Sequence, residues 1–277
     1  MNPKPLTDLS QLCIHTITTK PWSIEEAVKN FTNAGVCGIT VWRDTLDGRN
    51  IRKTGKLIRD SGLEVVSLAR GGFFPNKEKS KRKEAIEDNL KAIEEAHELG
   101  APIIVLVCGA EPAQSLEESR KQIHDGIAEI LPTAKKAGVK LAIEPLHPMY
   151  ADTRSAINTL GQANDMACEL NSPFVGVAVD VYHLWWDPDL EQEIKRCGSS
   201  GHLMAFHVCD WNVPTNHFLL DRGLMGEGCI PISKIRSWVE EAGFTGFNEV
   251  EIFSEKFWRQ DQAKFLNKII TAYKENT

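Results

Sequence analysis

The same pattern occurs eight times along the chain: a short run of aliphatic and β-branched residues, followed by an amphipathic stretch with helical periodicity. Apolar strands that alternate with amphipathic helices are typical of parallel strands joined by right-handed helical crossovers. The predicted strands are Leu12–His15, Cys37–Trp42, Leu63–Ala69, Ile103–Val107, Val139–Glu144, Phe174–Asp180, Leu203–Val208 and Phe247–Phe253.

Two architectures accommodate such a series, an open doubly wound sheet and a closed barrel. A nucleotide-binding doubly wound sheet commonly carries a G-x-G-x-x-G or P-loop turn, and the sequence contains neither motif. Eight strand–helix units therefore favour a (β/α)8 TIM barrel, and 277 residues are close to the about 250 residues typical of that fold. No proline- or serine-rich linker divides the chain, so we expect one α/β domain over residues 1–277.

Local signals place the helices and the longer loops. The S-I-E-E segment at Ser23 predicts a capping box at the start of the first helix. Further along, the fifth helix is expected from about Thr153 to Leu170. Arg70 and the Gly71–Gly72 pair, after the third strand, predict a flexible turn at the rim, and a long loop is expected over residues 210–229.

Composition and charge exclude several classes of protein. The net charge of −6 argues against a nucleic-acid partner, because phosphate binding needs clustered Lys and Arg. The seven cysteines form no C-x-x-C pair, which favours reduced thiols and a cytoplasmic protein. Its longest clean apolar run, Ile103–Val107, is too short to cross a membrane, and the first twenty residues lack the apolar core of a secretion signal.

Ionisable side chains end four successive predicted strands. The fifth strand ends on Glu144, the sixth on Asp180, the seventh reaches His207, and the eighth places Glu251 near its end. In a (β/α)8 barrel the carboxyl ends of the strands form the catalytic face. We therefore expect these four side chains to meet at one rim of the barrel.

One carboxylate after an apolar strand is often only a helix cap, but four convergent groups need another explanation. Three carboxylates that lie close together in a partly buried site repel each other unless a cation is present. Three oxygen ligands and one imidazole suit a divalent metal ion, with Mn²⁺ or Mg²⁺ favoured over Co²⁺ or Zn²⁺. The sequence thus predicts one divalent ion bound by Glu144, Asp180, His207 and Glu251.

Polar residues beside these ligands are candidates for substrate binding. His183 follows Asp180 in D-V-Y-H, and two prolines hold His147 in E-P-L-H-P. Arg222 lies in the long seventh loop, where it could close over a substrate oxygen. Each histidine could equally be a packed surface residue. Asp210 is expected to orient the imidazole of His207 or a metal-bound water.

Tryptophans and a further glutamate complete the predicted rim. Trp42 and Trp186 follow strand ends, where they could form the wall of a sugar pocket. Alternation along the last strand points Glu249 to the same side as Glu251 but one layer deeper, so Glu251 is the better metal ligand.

Five segments, LAIEPLHP, VAVDVYHLWWD, MAFHVCDW, DRGLMGEGCI and FNEVEIFSEKFW, resemble the sugar isomerase/epimerase superfamily, which is built on the xylose isomerase-type barrel. The resemblance is strongest to 2-keto-myo-inositol isomerases, with ketose 3-epimerases more distant. It implies that Glu144, Asp180, His207 and Glu251 bind one metal ion, that both glutamates act as acid and base, and that His183 and Arg222 contact substrate oxygens. Tyr150 stands where ketose 3-epimerases have a second glutamate, which leaves the substrate open.

The residues and the resemblance together predict a metal-dependent isomerase or epimerase of a keto-sugar or keto-inositol. Glu144 or Glu251 would abstract a proton alpha to the carbonyl, giving a metal-bound enediolate. The alternative is a dehydratase or lyase that eliminates from a 3-keto-sugar, 3-keto-glycoside or inosose, because it needs the same ligands. A three-zinc DNA-repair endonuclease and an inactive binding barrel fit less well. The absence of a phosphate nest after strands seven and eight favours an unphosphorylated substrate, and analogy suggests a homo-oligomer.

Overall fold

Eight parallel strands form a closed barrel in the computed structural model, which describes residues 6–277. Strands that are consecutive in the chain pair with each other, and the last strand pairs with the first. The predicted (β/α)8 TIM barrel is therefore confirmed. The strands are β1 Leu12–His15, β2 Gly38–Trp42, β3 Glu64–Gly72, β4 Ile103–Val107, β5 Lys140–Glu144, β6 Val175–Asp180, β7 Leu203–Val208 and β8 Asn248–Val250.

One long helix follows each strand and packs on the outside of the barrel. Single helical turns at Val181–Leu184 and Glu255–Trp258 come directly after β6 and just after β8. The long helices are α1 Ile24–Asn33, α2 Ile51–Asp60, α3 Lys79–Leu99, α4 Leu116–Ala137, α5 Leu160–Leu170, α6 Leu190–Ser199, α7 Ile232–Glu241 and α8 Gln262–Asn276. Among the described residues, none of these helices combines the length and apolarity that crossing a membrane requires.

The capping box predicted at Ser23 is confirmed. The backbone N–H of Glu26 donates to the Ser23 hydroxyl at 3.2 Å, and the backbone N–H of Ser23 donates to the Glu26 carboxylate at 2.8 Å. These two bonds satisfy donors that the first turn of a helix otherwise leaves without partners. The start of α1 is thus fixed by local sequence.

The expected start of the fifth helix at Thr153 is wrong, because α5 begins at Leu160. Thr159 caps it by accepting the backbone N–H of Gln162. Residues upstream are held by long-range contacts instead: Ser155 pairs with the segment after β4, and the Asn158 amide donates to two backbone carbonyls. Such contacts do not follow from helical periodicity.

The flexible turn expected at Arg70 and Gly71–Gly72 is also wrong, because these residues belong to β3. Both glycines pair with β4, and the Asn89 side chain bonds to the N–H and the C=O of Gly72. Gly72 has φ of 109°, and a Cβ there would lie 1.9 Å from the Val107 carbonyl oxygen. Glycine is required at position 72 because the strands pack closely there and the backbone has a positive φ. A G-G pair in the sequence is equally typical of a mobile turn, so the sequence alone did not distinguish the two.

The barrel interior is filled by small apolar side chains below its carboxyl end. A buried cluster inside the barrel contains Val105, Ala142, Ala178 and Ala205, one residue from each of β4 to β7. A much larger apolar core lies between the strands and the helices. Because side chains alternate between the two faces of a strand, residues two positions after this cluster also point inward, above it.

Candidate metal centre

Strand alternation brings three of the predicted ligands to the inside of the barrel. Glu144, Asp180 and His207 each lie two positions after an alanine of the inner cluster. Glu251 follows the end of β8, since that strand stops at Val250 rather than at the predicted Phe253. The four side chains therefore meet at the carboxyl end of the barrel, as predicted.

The four side chains are close enough to share one ion. One donor atom from each of Glu144, Asp180, His207 and Glu251 lies within 4.8 Å of the other three. All four residues are buried, with exposures of at most 4%. Three carboxylates at such distances in a buried site are strongly unfavourable unless positive charges neutralise them.

Several polar atoms of the cluster are buried without well-formed hydrogen bonds to other described residues. Within the described part of the chain, Oε1 of Glu144 and both ring nitrogens of His207 are buried without a hydrogen-bond partner. Oε1 of Glu144 and Nδ1 of His207 are nevertheless only 3.0 Å apart. Buried polar groups normally have partners, and these atoms are the types that divalent ions bind. The residues present therefore fit a divalent metal ion.

Arg222 lies at the edge of this cluster. Its Nη1 donates to Oε2 of Glu251 at 2.8 Å and to Oδ2 of Asp180 at 3.1 Å, and its Nη2 lies 3.2 Å from Nε2 of His183. The guanidinium is also 4.3 Å from the ring centre of Tyr182. The structure thus brings the predicted residues His183 and Arg222 to the ligands.

Burial and charge shift the pKa values of these groups in different directions. Burial raises the pKa of Asp180 to about 7, although Arg222 opposes the shift. Burial would also raise the pKa of Glu251, but Arg222 and His15 outweigh it and hold that pKa well below its usual value. The pKa of His183 is well below normal because of burial and the Arg222 charge, so its imidazole is neutral. The lowered pKa keeps Glu251 ionised, which is the form in which a carboxylate can accept a proton.

A second set of buried polar residues contacts the proposed ligands. Of these residues, His15, Thr40 and Ser67 were not predicted from the sequence. Nδ1 of His15 is 3.1 Å from Oε1 of Glu251, and its Nε2 is 3.1 Å from Oε2 of Glu249. The hydroxyls of Thr40 and Ser67 donate to the same Glu249 oxygen at 2.6 and 3.2 Å. His15 also forms an alternative ligand group with His207 and Glu251. Glu249 lies below Glu251, as alternation predicted.

A small cavity of about 20 Å³ lies directly beside the ligands. Glu144, Glu251, His183 and Arg222 line it together with Trp42. A larger cavity of about 440 Å³ continues outward, and both are lined by Trp42, Arg154, Leu219 and Phe253. Trp42 is therefore in the wall of the pocket, where the sequence predicted it.

His147 and Trp186 form a separate aromatic group. Their ring centres are 5.5 Å apart, and His147 lies 5.4 Å from the ring of Trp211. Trp186 donates its indole N–H to the backbone oxygen of His183 at 2.8 Å. In the described part of the chain, neither residue lines the two cavities, so their predicted contact with substrate stays a prediction.

The expectation that Asp210 orients His207 is wrong. Its carboxylate accepts four backbone N–H groups at 2.8–2.9 Å, those of Trp211, Gly226, Gly228 and Ile230. These bonds fold the seventh loop, in which Asp210–Trp211 pairs with Arg222–Gly223 as a short antiparallel ribbon. Asp210 thus acts on the site by holding the loop that carries Arg222.

Tyr150, which stands where ketose 3-epimerases have a second glutamate, contacts the same seventh loop. The hydroxyls of Tyr150 and Tyr182 both donate to the backbone oxygen of Phe218, at 2.8 and 2.6 Å. Tyr150 therefore anchors the loop over the barrel mouth instead of supplying a carboxylate.

Comparisons with known proteins agree with the barrel fold. A family model described as a xylose isomerase-like TIM barrel matches residues 28–269. The L-ribulose-5-phosphate 3-epimerase UlaE of Salmonella paratyphi A is 27% identical over 205 residues, which are 72% of this chain and 68% of that protein.

Two solved structures are similar over almost the whole chain. Protein SMc04130 from Sinorhizobium meliloti 1021 has a TM-score of 0.93 and 44% identity, over 96% of this chain and 98% of its own. The IOLI protein with a bound zinc atom has a TM-score of 0.83 and 20% identity, over 95% and 96% of the two chains. At that lower identity the similarity concerns the fold alone.

Proposed function

The chain belongs to the xylose isomerase-like TIM barrels, in the sugar isomerase/epimerase superfamily, and we propose a function from that premise. The proposed function is that of a divalent-metal-dependent isomerase or epimerase of a keto-sugar or keto-inositol. One observation carries the proposal: Glu144, Asp180, His207 and Glu251 bring four donor atoms within 4.8 Å of one another, and three polar atoms of this cluster are buried without well-formed hydrogen bonds to other described residues.

Glu144 and Glu251 are the proposed acid and base. They come from β5 and the end of β8, which are three strands apart around the barrel, and both line the small cavity. A substrate carbon held in this cavity would therefore have one carboxylate on each side. One glutamate takes the proton alpha to the carbonyl, and the other returns a proton to a different carbon or to the opposite face. A divalent ion, when bound, supplies Lewis-acid polarisation of the carbonyl.

His183 and Arg222 are the proposed contacts to substrate oxygens. Both line the small cavity. Burial and the charge of Arg222 lower the pKa of His183 and keep it neutral, so that this histidine can donate one hydrogen bond without adding a charge. Trp42 supplies an apolar wall on which the C–H face of a sugar ring can pack. His147 and Trp186 are proposed to act at the rim, through Trp211 and the backbone of His183.

Solvent exchange tests this proposal directly. The protein loaded with Mn²⁺ is incubated in D₂O with D-psicose, D-fructose and 2-keto-myo-inositol, and deuterium alpha to the carbonyl is followed by NMR. We expect exchange with at least one ketose, and a decrease of about 10²- to 10⁴-fold in Glu144→Gln and Glu251→Gln. Glu241→Gln, an exposed residue at the end of α7, is the matched control and should keep the wild-type rate.

Three results would decide against the assignment. A loss below tenfold in Glu251→Gln would remove it from the acid–base pair. Exchange with none of the ketoses would contradict the isomerase or epimerase as a whole. Loss of water from a keto-inositol or a 3-keto-sugar would assign the elimination chemistry of a dehydratase or lyase instead.

A further inference from the structure

Three arginines line the outer cavity of about 440 Å³. Arg70 lies in β3 and Arg154 in the loop before α5, while Arg43 follows β2. Each is half-buried. Arg154 also lines the small cavity together with Glu144 and Glu251, so it connects the outer cavity with the metal centre.

Only one of these arginines is neutralised by carboxylates. Arg43 donates to Asp88 at 2.8 Å and to Glu95 at 2.6 Å. Arg70 lies 4.1 Å from the ring centre of Phe73, and Arg154 lies 5.9 Å from that of Tyr150. Within the described residues, neither Arg70 nor Arg154 forms an ion pair with a carboxylate.

Among the described residues, three arginines and two carboxylates line the outer cavity. Asp44 and Asp88 line it as well, but Asp88 is already held by Arg43. Burial and the neighbouring charges of Arg154 and Arg43 lower the pKa of Arg70 to about 10. Two half-buried guanidinium groups that no carboxylate of the described residues reaches within ion-pair distance form a site that an anion would stabilise, because Arg presents several donors in a planar fork.

We propose that Arg70 and Arg154 form a subsite for an anionic group of the substrate, a phosphate or a carboxylate at the end remote from the reacting carbonyl. The inference rests on the proposed function, because the proposed function places the reacting carbonyl beside Glu144 and Glu251. Arg154 lines both the small and the outer cavity. A single substrate molecule that extends from one into the other can therefore contact the two arginines and the two glutamates. This subsite is formed by β3 and the loop before α5, and not by the loops after β7 and β8, where the sequence showed no phosphate nest.

Binding of simple anions tests the subsite without reference to catalysis. Inorganic phosphate and acetate are titrated by calorimetry into the metal-loaded protein at constant ionic strength. We expect saturable binding of at least one anion, weakened about tenfold or more in Arg70→Gln and in Arg154→Gln. Arg259→Gln is the matched control for loss of one charge, because Arg259 is exposed and pairs with Glu255 on the surface. Equal binding in all four proteins would overturn the subsite.

Deuterium exchange with matched ketoses identifies the anion. D-fructose, D-fructose 6-phosphate and D-fructuronate differ only at the end remote from the carbonyl. We expect kcat/KM for one anionic ketose to exceed that for D-fructose by about tenfold or more, and this ratio to fall towards one in Arg70→Gln. The preferred anion distinguishes phosphate from carboxylate.

The two proposals fail in different ways. Exchange of D-fructose at the same kcat/KM as both anionic ketoses, unchanged in Arg70→Gln, would overturn the anion subsite and leave the isomerase or epimerase standing. Arginine-dependent phosphate or acetate binding without exchange of any ketose would support the subsite and contradict the proposed reaction.

Discussion

Replacing Asp210 by asparagine separates its observed role in the seventh loop from a role at His207. Each carboxylate oxygen accepts two backbone N–H groups: Oδ1 those of Trp211 and Ile230, and Oδ2 those of Gly226 and Gly228. In Asp210→Asn one oxygen keeps its two donors, while the new NH₂ group faces the N–H groups of the two glycines. Two charge-assisted hydrogen bonds are lost, between a buried carboxylate and two exposed glycines where water has partial access.

The expected destabilisation follows from these two bonds. A hydrogen bond to a charged group contributes about 1.5–3 kcal/mol, and partial access of water places each bond at the lower end of that range. Asp210→Asn should therefore lower the free energy of unfolding by about 3 kcal/mol. The unfolding entropy of a chain of 277 residues is about 0.6 kcal/mol per kelvin, so Tm should fall by about 5 °C.

Differential scanning calorimetry of the metal-free protein measures this shift. Asp189→Asn is the matched control, because this exposed aspartate makes no capping bond with its side chain at the start of α6. Metal affinity, measured well below Tm, should be nearly the same in Asp210→Asn and wild type. A Tm change below 1 °C combined with a loss of metal affinity above about tenfold would refute the assignment to the loop and restore a role at His207.

Two further predictions concern helix packing and metal binding. Gly55→Ala in α2 should lower the free energy of unfolding by about 1–3 kcal/mol in urea titrations, because the new Cβ would lie 2.2 Å from the Leu99 backbone oxygen. Gly161→Ala in α5 is the control and should be nearly neutral, because the nearest atom to its new Cβ lies at 3.5 Å. Equal effects of the two substitutions would contradict the packing of α2. Mn²⁺ at about 100 times its Kd should raise Tm by about 5 °C, since binding then adds about 2.7 kcal/mol. The rise should disappear with chelator and in Glu251→Gln, and its persistence in that variant would place the ion elsewhere.

The fold and the convergence of the four proposed ligands were accessible from sequence because they depend on local periodicity. The strand ending on Glu144 contains the apolar run Leu141–Ile143, and alternation then fixes which face its last side chain occupies. The same reasoning applied to β1 would have identified His15, its last residue. A strand-end rule applied to all eight strands therefore recovers more of the site than one restricted to the last four.

Other features depend on contacts between distant segments and could not be predicted in this way. Asp210 looks like a ligand neighbour in sequence, but its hydrogen-bond partners lie up to twenty residues later. Arg70 lies in β3, and its proximity to Arg154 exists only after the barrel has closed. Charge excess in a pocket is a property of the tertiary structure, so sequence alone gave no sign of the anion subsite.

Crystallography of the protein soaked in Mn²⁺, with anomalous data, is the most direct measurement of the central claim. We predict one anomalous peak at the carboxyl end of the barrel, about 2.0–2.2 Å from one atom of each of Glu144, Asp180, His207 and Glu251. A map with no peak among these side chains, or a peak that contacts fewer than three of them, would contradict the metal centre and the chemistry built on it.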